Sequence, residues 1–156
     1  MKRDSSNTPI MLRPAVTDDV PGIKSCAQAA YSVYVPLIGR EPAPMAADFA
    51  SKIAQNWVWV AACGTDVAGY IVCYPRDADM FLENVAVHPG FHGQGIGRRL
   101  IGFCEDRARD LGFGTVRLYT NAKMEANLTL YPCLGYVQTD RRIEDGFDRV
   151  YFEKAL

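Results

Sequence analysis

The run Gly93-Gln94-Gly95-Ile96-Gly97 is the stretch whose residue types and spacing most directly permit chemistry. Three glycines at alternate positions let the backbone approach another group with no Cβ in the way. The residues that follow, with Ile96, Leu100, Cys104, Ala108 and Leu111 on one face, read as a helix. A helix start carries unpaired N–H groups and a partial positive charge. A glycine loop feeding it is therefore a site for phosphate or pyrophosphate. Upstream, the β-branched Val85 and Val87 close an apolar run that suits a buried strand, and Pro89-Gly90 stops that run. Strand, glycine loop and helix thus follow one another over residues 82–100.

Spacing narrows the ligand. A Walker loop ends in Gly-Lys-Ser or Gly-Lys-Thr, whereas Gly97 is followed by Arg98-Arg99. A dinucleotide fingerprint needs its third glycine three residues after its second. That position is Arg98 or Leu100, depending on the starting glycine, so this reading fails as well. What remains, Gln94-Gly95-Ile96-Gly97 after a strand ending Val-Ala-Val, resembles the coenzyme A loop of the GNAT superfamily of N-acetyltransferases, with pattern Gln/Arg-x-x-Gly-x-Gly/Ala. His92 stands at the Gln/Arg position. A second segment, Asn127-Leu128-Thr129-Leu130-Tyr131-Pro132-Cys133-Leu134-Gly135-Tyr136, resembles the family's C-terminal Leu-Tyr-x-x-x-Gly-Phe/Tyr signature. Where the family often has an asparagine seven residues before that tyrosine, this chain has Met124, with Asn127 four before it.

The resemblance implies acetyl-CoA as acyl donor, no metal, and acyl transfer directly to a primary amine. It assigns the cofactor to the backbone of Val85, Ala86 and Val87, to the loop His92, Gly93, Gln94, Gly95, Ile96, Gly97 and Arg98, and to Asn127 and Tyr131. An amine of lysine type has a pKa near 10.4, so a proton must leave before attack at neutral pH. Glu83, on the strand that enters the loop, is the first candidate base. His88 has a suitable intrinsic pKa near 6.5, but beside Pro89 it also suits a turn. Tyr131 matches the tyrosine that many family members use to protonate the departing thiolate. N–H groups near Val85 and Val87 would polarise the thioester carbonyl, provided the strand splays from its neighbour. On the acceptor side Tyr31, Tyr34, Arg40, Met45 and Phe49 would suit a small amphipathic amine carrying a carboxylate; helix packing explains them equally well. Trp57 and Trp59 read as core or sheet-face residues.

Composition excludes other classes. A net charge of −1 offers no basic field for nucleic acid or anionic lipid. Apolar runs are too short for a membrane span, and the first eight residues lack the apolar stretch of a signal peptide. Five cysteines with no C-x-x-C pair, beside only two histidines, supply a zinc site poorly. They read as small buried residues of a cytoplasmic protein. The expected partner is a small-molecule amine, without nucleic acid or membrane, and a homodimer is left open. A protein lysine or N-terminus is the alternative acceptor. The alternative of another class is a non-catalytic acyl-CoA-binding or sensing domain.

The elements that must position these residues follow in order. After a lead-in over residues 1–9 expected to be disordered come a strand at Ile10–Arg13 and a helix capped by Thr17. A Pro/Gly-interrupted stretch follows, with a short helix starting near Pro44. Strands over 57–63, 67–74 and 80–87 lead into the glycine loop and its helix, which Gly112 ends. A strand at 115–120, a short helix carrying Leu128 to Leu134 and two last strands at 136–143 and 149–154 complete the chain. This predicts one α/β (α+β) domain over residues 10–156, GNAT-like, with a mixed, mostly antiparallel sheet flanked by helices on both faces.

Overall fold

The computed structural model describes residues 8–156; the lead-in expected to be disordered lies, up to Asn7, outside the described residues. The strands are β1 (Ile10–Pro14), β2 (Val58–Cys63), β3 (Asp66–Arg76), β4 (Asp79–Val87), β5 (Thr115–Asn121), β6 (Val137–Glu144) and β7 (Phe147–Ala155). The helices are α1 (Val20–Tyr31), α2 (Val35–Ile38), α3 (Phe49–Ala54), α4 (Ile96–Asp110) and α5 (Glu125–Cys133). The seven strands form one sheet in the order β1-β2-β3-β4-β5-β7-β6. Every pair is antiparallel except β4 with β5, the two strands that α4 connects.

Both faces of the central strands are buried, which is why β2 and β3 read as continuous apolar runs rather than alternating ones. Trp59, Ala61, Ile71, Cys73 and Leu82 pack with Leu100, Ile101 and Cys104 of α4. Val58, Val60, Tyr70 and Val72, one residue out of phase, pack with Ile23, Ala27 and Phe49 from α1 and α3. Gly69 permits the closest strand–helix approach on the α4 side. A Cβ there would stand 2.8 Å from the Ala86 carbonyl oxygen and 3.2 Å from the Ile96 and Leu100 side chains.

Boundaries differ from the sequence reading where a local competitor wins. Residues Thr17–Asp19 form a 3-10 turn, and Asp19 rather than Thr17 precedes α1. Arg13 grips that Asp19 carboxylate at 2.8 and 2.9 Å and holds its pKa below the usual carboxylate range. The helix expected from Pro44 splits into a 3-10 turn over Ala43–Ala46 and α3, whose start is capped by Asp48 accepting from the Ser51 N–H. Strand β3 runs on through Pro75 to Arg76, so the expected polar loop shrinks to Asp77-Ala78. Glu105 of α4 is buried despite its charge and accepts from the Tyr136 hydroxyl and the Lys154 ammonium, each at 3.0 Å. It ties α4 to the far end of the sheet. Four cysteines are buried as expected, but Cys133 is exposed.

Gly69→Ala tests the strand–helix approach. Overpacking of this kind costs about 1–3 kcal/mol, and urea unfolding should show a loss in that range. A change within about 0.5 kcal/mol, the scatter of neutral surface substitutions, would mean that the layer yields freely.

Candidate functional site

Strand β4 does two unusual things within three residues. First, Val72 pairs with Asn84 and Cys73 with Leu82, so Glu83 is an extra residue on β4. Such a bulge bends its strand and re-aims the side chain it carries. Second, the pairing of β4 with β5 covers only Met80–Val116, Phe81–Arg117 and Leu82–Leu118. Beyond Leu82 the two strands separate, although β4 continues to Val87 and β5 to Asn121.

The separation leaves specific groups unpaired. The His88 N–H bonds to the Ala68 carbonyl at 2.8 Å. By antiparallel alternation Tyr70–Ala86 and Val72–Asn84 are then the hydrogen-bonded pairs. Val85 and Val87 therefore aim their N–H and C=O groups away from β3, toward the side that β5 has left. The Val85 carbonyl finds another partner: the Tyr31 hydroxyl stands 2.9 Å from it and 2.7 Å from Asn84 Oδ1. Asn84 in turn donates to the Tyr70 hydroxyl at 2.7 Å. Burial raises both phenols well above their ordinary pKa, so they remain neutral members of this network. Tyr31, expected on the acceptor side, also braces the opened strand. Asn84 gave no signal in the sequence, because its partners come from elements 14 and 53 residues away.

A cavity of about 340 Å³ occupies the opening. Lys52, Trp57, Glu83, Tyr119, Tyr131 and Arg149 are among the residues that line it. Glu83 is engaged at both oxygens: the Tyr74 hydroxyl donates to Oε1 and the Lys52 ammonium to Oε2, each at 2.9 Å. Burial, with the Glu83 charge beside it, raises the Tyr74 phenol and keeps it a donor. Trp57 stacks on Tyr74 at 4.0 Å and lines the cavity, while Trp59 alone belongs to the α4-side core. Tyr131 is buried against Tyr136 and Phe152, and burial holds its phenol well above the ordinary range.

Asn127 also borders the cavity. Its Nδ2 donates to Thr120 Oγ1 at 3.0 Å, which leaves Oδ1 as the acceptor it offers. Met124, at the family's usual asparagine position, is buried beneath it. Phe49 meets Tyr70 edge-to-face in the core and does not line the cavity. Arg40 is not free in solvent. Its Nη1 donates to the Asp145 carbonyl at 2.8 Å, and its guanidinium lies 4.0 Å over the Phe147 ring. It thereby joins the segment after α2 to the β6–β7 turn, and Pro42, Ala47 and Phe147 on those two pieces border the cavity.

The glycine loop begins where β4 ends. His88 is a turn residue: its Nδ1 accepts from the Gly90 N–H at 3.0 Å. His92 and Gly93 are exposed, and Gly93 and Gly95 have φ of +83° and +74°. A Cβ at either position would meet nothing within 4 Å. The first α4 bond runs from the Arg99 N–H to the Gly95 carbonyl, so the N–H groups of Ile96, Gly97 and Arg98 precede it. The loop is thus open and rich in donors, the arrangement that receives a pyrophosphate. Thiol chemistry has little support, since burial pushes the Cys26 thiol up to about 12 and Cys104 is also raised.

These features define a class: an α/β protein whose central sheet is opened beside an anion-ready loop. The chain belongs to the acetyltransferase (GNAT) family, whose model matches residues 27–136. It is 30% identical over 91 residues to probable N-acetyltransferase 14 of Xenopus tropicalis, covering 56% of this chain and 44% of that protein. It is 31% identical over 103 residues to N-acetyltransferase 8F1 of Rattus norvegicus, covering 62% and 47%. The chain therefore matches less than half the length of these curated relatives. Among solved structures, the PaiA N-acetyltransferase of Thermoplasma acidophilum, in complex with coenzyme A, shares the fold with a TM-score of 0.79. That likeness covers 94% of this chain and 99% of the other at 17% identity.

Tyr31→Phe removes the hydroxyl whose single proton is shared between the Val85 carbonyl and Asn84 Oδ1. An orphaned buried acceptor costs about 1–3 kcal/mol, and chemical denaturation should read a loss of that size. A neutral result would mean that water replaces the hydroxyl and that Tyr31 does not brace the strand.

Proposed function

We propose that this protein transfers an acetyl group from acetyl-CoA directly to the primary amine of a small molecule, using residues 10–156 as the acetyltransferase unit. The observation that carries the reading is the separation of β4 from β5. One strand leads from a carboxylate at a cavity, past two unpaired N–H groups, into an anion-ready loop. The cavity's modest volume and the Arg40 bridge beside its border support a small acceptor over a protein segment.

Bound acetyl-CoA supplies the activated acetyl thioester. The backbone of Gly93, Gln94, Gly95, Ile96, Gly97 and Arg98 would hold its phosphates, with the His92 side chain beside them. The Val85–Ala86–Val87 strand, through its outward N–H groups, would align the arm and stabilise negative charge developing on the carbonyl oxygen. Asn127 would accept a hydrogen bond from the cofactor. Glu83 takes the proton that the amine must lose. Tyr131, kept protonated by burial, gives one to the departing sulfur.

Two measurements test this reading. In Gly95→Val a side chain fills the space that the phosphates require, and the positive φ disfavours a β-branched residue. Calorimetry should then detect no CoA binding, with the far-UV spectrum preserved; wild-type affinity would remove the loop from the site. For the chemistry, an amine panel with product analysis comes first. On an accepted amine, Glu83→Gln and Tyr131→Phe should each slow turnover by roughly 10²–10⁴-fold, the usual range for general acid–base help. Glu83→Gln should also remove the acidic limb of the pH profile, with CoA affinity nearly unchanged. Lys52→Met separates loss of the ion pair from loss of the base. An unaltered profile in Glu83→Gln would exclude that base, full activity in Tyr131→Phe would exclude that acid, and acetylation of peptides alone would overturn the small-molecule acceptor.

A further inference from the structure

The cavity has four charged side chains on its walls: Asp48, Lys52, Glu83 and Arg149. Three are closely engaged. Asp48 caps α3, and Lys52 and Glu83 pair with each other at 2.9 Å. Arg149 is different. The nearest carboxylate oxygens, Glu144 Oε1 and Asp145 Oδ2, stand 3.7 and 3.8 Å from its Nη1. A charge-assisted hydrogen bond measures about 2.7–2.9 Å. The Asp145 side chain is also 85% exposed, so water screens it. The Arg149 side chain is only 15% exposed, and its guanidinium lies 4.4 Å over the Tyr119 ring. It is a held and largely desolvated fork with donor capacity to spare, because its nearest anion, the buried Glu144 Oε1, lies beyond hydrogen-bond distance and accepts no bond from it.

Asn121 faces Arg149 across the β5–β7 ladder and lines the same cavity. Its Oδ1 accepts from the Lys123 N–H at 2.9 Å, which orients the amide and leaves Nδ2 as its donor. Two donors, one cationic and planar, thus sit side by side, and this pairing suits a carboxylate. A second amine placed here would instead face the Arg149 cation.

We propose that the acceptor is an amine that also carries a carboxylate, and that Arg149, assisted by Asn121, binds that carboxylate while the amine reaches Glu83. This rests on the small-molecule acetyltransferase reading and names its substrate class. Arg149 is then a specificity-determining residue, since it touches the part of the substrate that does not react.

The test uses α- and ω-amino acids, each beside its own carboxamide, with acetylated product measured for wild type, Arg149→Gln and Arg149→Lys. Wild type should favour the acid over the amide by at least tenfold in kcat/KM. In Arg149→Gln the acid should lose at least tenfold more than the amide, mainly through KM, with partial recovery in Arg149→Lys. Equal losses for acid and amide, or a wild-type preference for amides or diamines, would overturn the carboxylate site while leaving the acetyltransferase reading intact. If no amine is acetylated, that reading fails, and the site is read by binding instead. Calorimetry of simple carboxylic acids on the CoA-loaded protein should show an affinity that Arg149→Gln lowers at least tenfold. Absence of binding to wild type, or equal binding to both proteins, overturns the site.

Discussion

The whole arrangement depends on the early end of one ladder. Parallel strands β4 and β5 share hydrogen bonds only as far as Leu82 and Leu118. A sheet interrupted at its centre leaves buried backbone groups without partners, which is costly unless something else satisfies them. The Tyr31 hydroxyl does so for the Val85 carbonyl, and the Asn84–Tyr70 contact completes that network from below. The Glu83 bulge lies at the point of divergence, where it bends β4 and directs a carboxylate into the gap. Helix α5 and the residues before it, with Asn127 and Tyr131, border the opening from the β5 side.

Among the described residues, no such substitute meets the outward N–H groups of Val85 and Val87. They are donors that the fold withholds from its own sheet, at the cost of one ladder. This links packing to chemistry. The same separation opens the cavity, places the Glu83 carboxylate in it and turns backbone donors toward the gap, and the glycine loop begins where that strand ends.

Much of this was legible in the sequence. Glycine spacing located the loop, because φ near +80° and close backbone approach impose residue type directly. The strands of the central sheet showed as β-branched and aromatic runs, since both of their faces are buried. Glu83 was found by its place on the strand entering the loop, although its bulge was not, because a bulge is a property of a pair of strands. Lys52 and Arg149 were missed as members of the site. Their place at the cavity comes from β4 and β5 moving apart, and nothing local to either residue announces it. The burial of Glu105 was not legible, because periodicity registers a charge as solvent-facing, whereas Tyr136 and Lys154 make burial tolerable there. Trp57 was read as a core or sheet-face residue, and the structure puts it at the cavity; Arg40, named with the acceptor side, bridges to the β6–β7 turn beside that cavity.

Amide hydrogen exchange resolved at single residues tests the central claim most directly, comparing neighbouring positions of β4 with and without acetyl-CoA. In the free protein Val85 and Val87 should exchange much faster than Ala86, whose N–H is bonded within the β3–β4 ladder. Addition of acetyl-CoA should slow Val85 and Val87 selectively and leave Ala86 unchanged. Equal protection of all three amides in the free protein would mean that the ladder is not open. Unchanged exchange at Val85 and Val87 with acetyl-CoA bound would mean that these groups do not meet the ligand.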